Sequence, residues 1–275
     1  MNIIGKTAFI LSLLSLTAVG AAAQNCKPAH EFKTVTAGAL TVAGYELLPY
    51  SSLEAGNKLG GVDGEIIDQI ATKECLTVKL VAVDPAAVIQ SVISGQADIA
   101  AGDWYRTAAR EKVLGLSAPL YLDQMGIFSK EGFSKVAQLD GKRIGTVEGY
   151  LWVADLKKVF GSALQTYPSP VNLAQDMAAG RIDVAIDSYA VGIEAQKKGG
   201  YTGVKIMVAE PDDRVAASRQ PGQANFPYTK NNSELGAALA SDIVDLHKSG
   251  AIAEILKKHG LSPSAADVGE ARVIN

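Results

Sequence analysis

Residues 95–121, GQADIAAGDWYRTAAREKVLGLSAPLY, decide how this chain is read. Their first part, 97–101, is a run of small and apolar residues entered through a Gly95 turn, which suits a buried strand of a mostly parallel sheet. A polar and aromatic turn follows, Gly102, Asp103, Trp104, Tyr105 and Arg106, and Thr107 stands where a helix N-cap belongs. Arg110 then falls in the first turn of that helix. A cation there opposes the helix dipole, which favours anions at that end by about 0.3–1 kcal/mol, and departures from a local rule tend to mark function. A guanidinium beside free helix N–H groups, just past the carboxyl end of a strand in an open α/β sheet, makes a seat for a carboxylate. The competing reading is a surface pair with an acid such as Glu111.

Strand and helix signals alternate on both sides of this stretch. Before it come a short strand at 40–43, an irregular aromatic loop over 44–52, and a helix near 62–72 with Ile66, Ile67 and Ile70 on one buried face. A second strand at 78–83 leads to a helix opened by Pro85 and ending at Ile93. Such alternation argues for an α/β lobe with a parallel sheet. After it, 119–128 reads as extended. A second alternation follows: strand 143–147, helix 151–160, strand 164–167, helix 171–179, strand 183–186, helix 189–198 and strand 204–208. Beyond a polar loop lie a short strand near 225–228 and amphipathic helices at 233–248 and 252–258. With only two helices left over, this end is expected to return to the first lobe. The chain thus divides into a discontinuous lobe 1 (24–122 and 210–263), lobe 2 (123–209) and a loose tail (264–275), with crossings near Leu120–Gly126 and near Ala209.

The N-terminus has one lysine, Lys6, an apolar run over 8–19 and small residues ending at Ala23, the layout of a cleaved secretory signal peptide over 1–23. The run is short of the ~20 residues that span a bilayer, and Ala-Gln-Asn before Cys26 lacks a lipoprotein pattern. The expected product is an exported, periplasmic protein. A composition of 48% hydrophobic and 20% charged residues with a net charge of −3 argues against nucleic acid, which would call for a basic patch. Two cysteines remain, Cys26 and Cys75. In an oxidising compartment they can form one bridge that pins the N-terminal arm, a contribution of roughly 2–4 kcal/mol; the alternative is two separate thiols. His30, His247 and His259 show no metal-ligand spacing and read as solvated surface residues, so no metal and no cofactor is expected.

The segments GALTVAGYELLPY, GVDGEIIDQIA, VIQSVISGQADIAAG, TAAREKVLGLSAPLY, LDGKRIGTVEGY, MAAGRIDVAI and SGAIAEILKKHG, in that order and spacing, resemble the family 3 extracellular solute-binding proteins, which serve ABC importers for polar amino acids and related molecules. The resemblance covers about Thr36 to Gly260. It implies an α/β periplasmic-binding-protein fold of type II: two lobes, two hinge strands, and a ligand cleft between the lobes. On that resemblance Arg110 matches the arginine that holds the ligand carboxylate, Asp103 and Tyr105 match ligand-contacting positions, and Tyr150 stands where a Thr or Ser usually helps hold the carboxylate. The two aromatics that clamp the ligand in the family are matched by Leu47 and Pro85. The acid that takes the ligand ammonium is matched by Ser188, with Asp187 one residue away.

Against those losses, Tyr45, Trp104, Tyr105, Tyr121, Tyr150 and Trp152 bring aromatic rings towards the presumed cleft. They suit a planar, apolar or cationic ligand, or else pack the lobes together. The sequence therefore leads to a monomeric, non-enzymatic binding protein that captures a small carboxylate-bearing solute and presents it to ABC permease subunits. Its expected site residues are Arg110, Asp103, Trp104, Tyr105, Tyr45, Tyr150, Asp187 and Ser188. The rivals are a cyclohexadienyl or arogenate dehydratase-like enzyme on the same fold, for which Glu148 or Asp103 would supply the acid or base, and a ligand-sensing partner of a membrane receptor.

Overall fold

The computed structural model describes residues 26–274, so the expected signal peptide lies outside the described residues. From the N-terminus the elements are β1 (Ala39–Gly44), the hairpin β2 (Ser52–Glu54) and β3 (Lys58–Gly60), α1 (Gly61–Lys73), β4 (Thr77–Ala82), α2 (Pro85–Ile93), β5 (Ile99–Ala100), β6 (Trp104–Tyr105), α3 (Ala108–Val113) and β7 (Leu114–Leu116). The chain crosses over along β8 (Leu122–Asp123). It then builds β9 (Met125–Ser129), β10 (Ile144–Val147), α4 (Val153–Phe160), β11 (Leu164–Tyr167), α5 (Pro170–Ala178), β12 (Val184–Ser188), α6 (Tyr189–Lys197) and β13 (Lys205–Val208). It returns along β14 (Gly222–Asn225) to β15 (Pro227–Thr229), α7 (Ser233–Lys248) and α8 (Ala251–Lys258).

Each lobe holds a five-stranded sheet, ordered β4-β1-β5-β15-β7 in the first and β11-β10-β12-β9-β13 in the second. The βαβ units supply parallel pairs, β1 with β4 and β5, and β10 with β11 and β12. Elements that bring the chain across or back enter antiparallel, as β15 does beside β5 and β9 beside β12. The crossing strands β8 and β14 pair antiparallel, Gly222 opposite Asp123 and Gln223 opposite Leu122, and β6 joins the other edge of β14. The return crossing therefore lies at Gly222–Asn225, later in the chain than Ala209.

The helix faces follow the sequence period. Ile66, Ile67 and Ile70 of α1 are buried against Leu40 and Val42 of β1 together with Leu239 and Ile243 of α7. A second core gathers Ile127, Ile144, Leu156, Val184 and Ile186 in lobe 2. The strand expected over 97–101 is regular only at Ile99 and Ala100, with the Asp98 and Ala101 N–H groups extending the bonding to β1 on either side and the Asp98 carboxylate accepting from the Thr41 and Val35 N–H groups. The strand expected near 225–228 is two strands broken at Phe226, whose N–H donates to Ser117 Oγ. One segment serves the hinge and the other the lobe 1 sheet.

Cys26 and Cys75 are bridged, closing a separation of 49 residues. Beside the bridge, Glu74 accepts from both the His30 backbone N–H (2.9 Å) and its ring Nδ1 (2.7 Å). The C-terminal segment departs from the expectation of a loose tail. The Gln223 amide donates to the Val268 and Glu270 carbonyls and accepts from the Arg272 N–H, each at 2.8 Å. Ile274, 7% exposed, exchanges backbone hydrogen bonds with Arg106 (3.0 Å) and Ala108 (2.9 Å). The apolar residue and the glutamine clamp, both far away in sequence from one another, hold the segment down.

Candidate functional site

The turn that carries the site is built from below. Asp63, buried in the first turn of α1, accepts from the N–H groups of Gly102 (2.7 Å) and Asp103 (3.2 Å) and from the Tyr121 hydroxyl (2.7 Å). Tyr121 in turn stacks on Tyr50 with ring centroids 4.9 Å apart. Held this way, Gly102 sits at φ +117°, where a Cβ would come within 2.4 Å of the Tyr45 ring, and Asp103 sits at φ 55°. That left-handed conformation is uncommon outside glycine, and aspartate is among the residues enriched in it. The backbone then enters β6, and Thr107 caps α3 by accepting the Arg110 N–H at 3.1 Å.

Arg110 projects from that helix turn. Its Nη1 donates to the Tyr105 carbonyl at 2.7 Å, and its guanidinium lies 4.7 Å from the centre of the Trp104 ring. Trp104 is itself fixed by its Nε1 donating to the Ala101 carbonyl at 3.0 Å. Burial lowers the Arg110 pKa to about 10, with Tyr45, Asp103 and Tyr105 opposing, so the group remains a cation at neutral pH. Among the described residues it enters no ion pair; Glu111, the competing partner in the sequence, is not bonded to it. Asp103 has its carboxyl pushed well above the usual range by burial, then by Asp123 and Asp63, against the pull of Arg110. Its Oδ1 has no hydrogen-bond partner among the described residues. Asp123, from the β8 crossing, accepts the Tyr105 hydroxyl at 2.6 Å.

The two lobes meet around this group. Tyr45, Leu47, Asp103, Trp104, Tyr105 and Arg110 line a cavity from lobe 1, and Tyr150, Leu151, Trp152 and Ser188 line it from lobe 2. Its volume is about 20 Å³, room for about one water and far below the ~300–1,000 Å³ of ligand pockets. A solute is admitted only when the lobes part or the aromatic rings swing. Tyr105 and Trp152 face each other edge-on across the lobes at 6.4 Å, and within lobe 2 Tyr150 and Trp152 meet edge-on at 5.3 Å. The Tyr150 hydroxyl has no hydrogen-bond partner among the described residues. Burial raises the hydroxyls of Tyr45, Tyr105 and Tyr150 well above their ordinary value, which keeps them protonated as donors.

Seven of the eight site residues read from sequence line this one cavity: Tyr45, Asp103, Trp104, Tyr105, Arg110, Tyr150 and Ser188. Asp187 does not. Successive strand residues point to opposite faces, so with Ser188 turned to the cavity, where its Oγ also accepts the Val191 N–H to cap α6, Asp187 lines a different one. Its carboxyl, fully buried, is pushed up to about 7 by burial and by Asp123, with the Ser188 N–H and Tyr150 opposing. Tyr121 lies beneath the site on Asp63 instead of lining it. Pro85 opens α2 and lies outside the cavity lining, whereas Leu47 is part of it. Sequence reasoning missed Asp63, Asp123 and Tyr50; the one signal for Asp63 was an acid in a helix first turn inside an otherwise apolar face.

The histidines are also corrected. Each is part-buried with a partner: His30 on Glu74, His247 on the Pro119 carbonyl at 2.9 Å, and His259 on Glu65 at 2.7 Å. His30, Glu74 and Asp242 bring ligand atoms within 4.8 Å of one another, a grouping hidden by their spacing in sequence. Lys73 Nζ already stands 2.7 Å from Asp242 Oδ1 there, so a cation of the chain itself occupies that cluster. Among the described residues no helix is long and apolar enough to cross a membrane.

Two α/β lobes joined by paired crossing strands, with a lone guanidinium facing the gap, define a type II periplasmic-binding-protein fold. Residues 40–262 match the family model of bacterial extracellular solute-binding proteins, family 3, and the chain belongs to that family. Solved structures share the fold. One is the amino acid ABC transporter substrate-binding protein AbpA from Streptococcus pneumoniae bound to L-arginine, with 23% identity and a TM-score of 0.69 over 81% of this chain and 94% of that one. An ancestral arginine-binding protein bound to glutamine has 24% identity and a TM-score of 0.72 over 81% and 98%. A Streptococcus pneumoniae ABC uptake transporter substrate-binding protein with bound histidine has 15% identity and a TM-score of 0.70 over 80% and 92%. Comparison with curated proteins finds no match.

Proposed function

We propose that this protein is an exported, monomeric solute-binding protein that takes a small carboxylate-bearing solute, an amino acid or derivative with an aromatic or cationic side group, and delivers it to an ABC permease. The observation that carries this reading is Arg110: a cation set between the lobes, bonded only to a backbone carbonyl and an aromatic face, with no carboxylate of the described chain to neutralise it. A planar fork of N–H donors matches a carboxylate in two parallel bonds. Asp103 is the complementary group, since a ligand ammonium would supply the donor that its Oδ1 lacks. Tyr45, Trp104, Tyr105, Tyr150 and Trp152 would stack on the side group. A solute touching both lobes favours the closed arrangement by its differential affinity for it, and the permease reads that arrangement. The family and the arginine-, glutamine- and histidine-bound neighbours support the solute class.

The test is a thermal-shift screen of the purified protein against amino acids and their aromatic and cationic derivatives, repeated with Arg110→Ala. Stabilisation by carboxylate-bearing solutes that disappears in the variant is expected; a carboxylate solute that binds both proteins alike would sink the role of Arg110. The raised Asp103 carboxyl suits an acid–base enzyme on this fold, and turnover of prephenate would replace the binding reading with that one.

A further inference from the structure

On the face of β12 opposite Ser188 lies a cavity of about 600 Å³, within the ~300–1,000 Å³ range of small-molecule sites. Its walls are α5 and α6, and its lining is mostly apolar, with Leu47, Leu48, Val171, Met177, Val191 and Val204. Leu47 is the one residue it shares with the cavity of Arg110. Among the polar residues of that lining, two are buried at its floor. Asp187 is 0% exposed and Tyr201 6% exposed, yet Asp187 Oδ2 and the Tyr201 hydroxyl have no hydrogen-bond partner among the described residues. Buried polar atoms are almost always paired, so two orphans in one cavity call for an explanation. Both line the same cavity, and the Tyr201 hydroxyl is pushed well above its ordinary value by burial and then by the Asp187 charge, while Tyr150 acts on Asp187 from the side of the other cavity. Tyr201 also holds φ 48°, a true outlier for a bulky side chain, although Gly199 and Gly200 stand just before it.

We propose that this cavity is a second ligand site, separate from that of Arg110, and that it takes a small organic ammonium with an apolar body. The ammonium donates to Asp187 Oδ2 and to the Tyr201 oxygen, and the body lies between Val171, Met177 and Val191. A carboxylate oxygen needs a donor and favours a cation, which sets the charge of the ligand. An anion finds no free partner at the floor, because the basic residues of the lining are Lys130, which is exposed, and Lys198, which already pairs with Glu194 at 3.4 Å.

The experiment titrates 2-phenylethylamine into the full chain and follows side-chain methyl signals together with the indole N–H signals by NMR. Both tryptophans, Trp104 and Trp152, line the other cavity, so the two sites report separately, and failure of solute binding at Arg110 leaves this test intact. Saturable shifts at Met177, Val191 and Val204 with a dissociation constant below about 1 mM, and unmoved indoles, are expected. Asp187→Asn keeps the shape and should weaken binding by at least about tenfold, as should replacing the probe by uncharged 2-phenylethanol. Val171→Phe, at a position 58% exposed, should block the cavity without disturbing the core. The proposal is overturned by shifts centred on the indoles, by the absence of saturable shifts, by Asp187→Asn binding within about twofold of the parent, or by 2-phenylethanol binding as well as the amine. Should Asp187→Asn not fold, Val171→Phe and the two probes decide alone.

Discussion

Replacing Arg110 by methionine should separate binding from stability. Lowering an arginine from 12.5 to about 10 by burial means the folded state holds that cation at a cost of up to about 3 kcal/mol. The group is partly exposed, which makes this an upper figure. Against it stand the contact with Trp104 at 4.7 Å, worth about 0.5–2 kcal/mol, and the bond to the Tyr105 carbonyl, whose loss costs about 1–3 kcal/mol if the carbonyl is left dry. These terms nearly cancel, so the net change in unfolding free energy should fall within about 1–2 kcal/mol of zero. Methionine keeps the length of the stem and fills the same space. Affinity behaves differently. A bidentate carboxylate pair contains two charge-assisted bonds at about 1.5–3 kcal/mol each, so a carboxylate solute should bind about 10²-fold to 10⁴-fold more weakly. Urea denaturation gives the first quantity and isothermal titration calorimetry with the best solute of the thermal-shift screen gives the second. A loss of stability above about 3 kcal/mol with affinity kept within tenfold would refute the reasoning, since it would make Arg110 a structural residue.

Three further outcomes can be checked. Asp187 has a folded pKa of about 7 against 3.8 in the unfolded chain, so its contribution is intact below 3.8 and is lost as pH rises towards 7; unfolding free energy measured in urea at pH 4.5, 6 and 8 should fall with pH, and Asp187→Asn should remove up to about 4 kcal/mol of that fall. Gly149, at φ +80°, would bring a Cβ within 3.2 Å of Ala86 Cα of the opposite lobe, so Gly149→Val should hold the lobes apart, seen as a larger radius of gyration in small-angle scattering and at least about tenfold weaker solute binding; unchanged scattering would count against that contact. The double variant Cys26→Ser with Cys75→Ser frees the N-terminal arm and should lower the unfolding free energy by roughly 2–4 kcal/mol, measured by urea denaturation with the parent run alongside under oxidising conditions.

What could be read from sequence was whatever local period encodes. The face of α1 with Ile66, Ile67 and Ile70, the start of α2 at Pro85, the span of α7 and the cap at Thr107 depend on residues three or four apart, and each is found in place. Arg110 was visible as a cation beside the Thr107 cap, although α3 is only six residues long and Arg110 falls in its last turn as well as its first. Asp63 was not, because what it does is set by the Gly102 and Asp103 amides 39 and 40 residues away. The choice between Asp187 and Ser188 depended on which face of β12 turns to the neighbouring lobe, and a strand buried on both faces carries no alternation to reveal it. The C-terminal segment misled for a similar reason: its polar composition reads as solvated until Gln223, about 45 residues earlier, is seen to hold its carbonyls.

That last feature bears on how the molecule should be handled. Ile274 is paired with Arg106 and Ala108, two residues from Arg110 at the nearer of them. A purification tag or fluorescent fusion added after Asn275 would therefore start one residue beyond the pairing that flanks Thr107, the cap of the helix carrying Arg110. It would compete with the last strand-like pairing and crowd the turn that aims the guanidinium. Binding constants measured on such a fusion would mix the solute's affinity with the linker's interference, and comparing them with the untagged chain would show by how much.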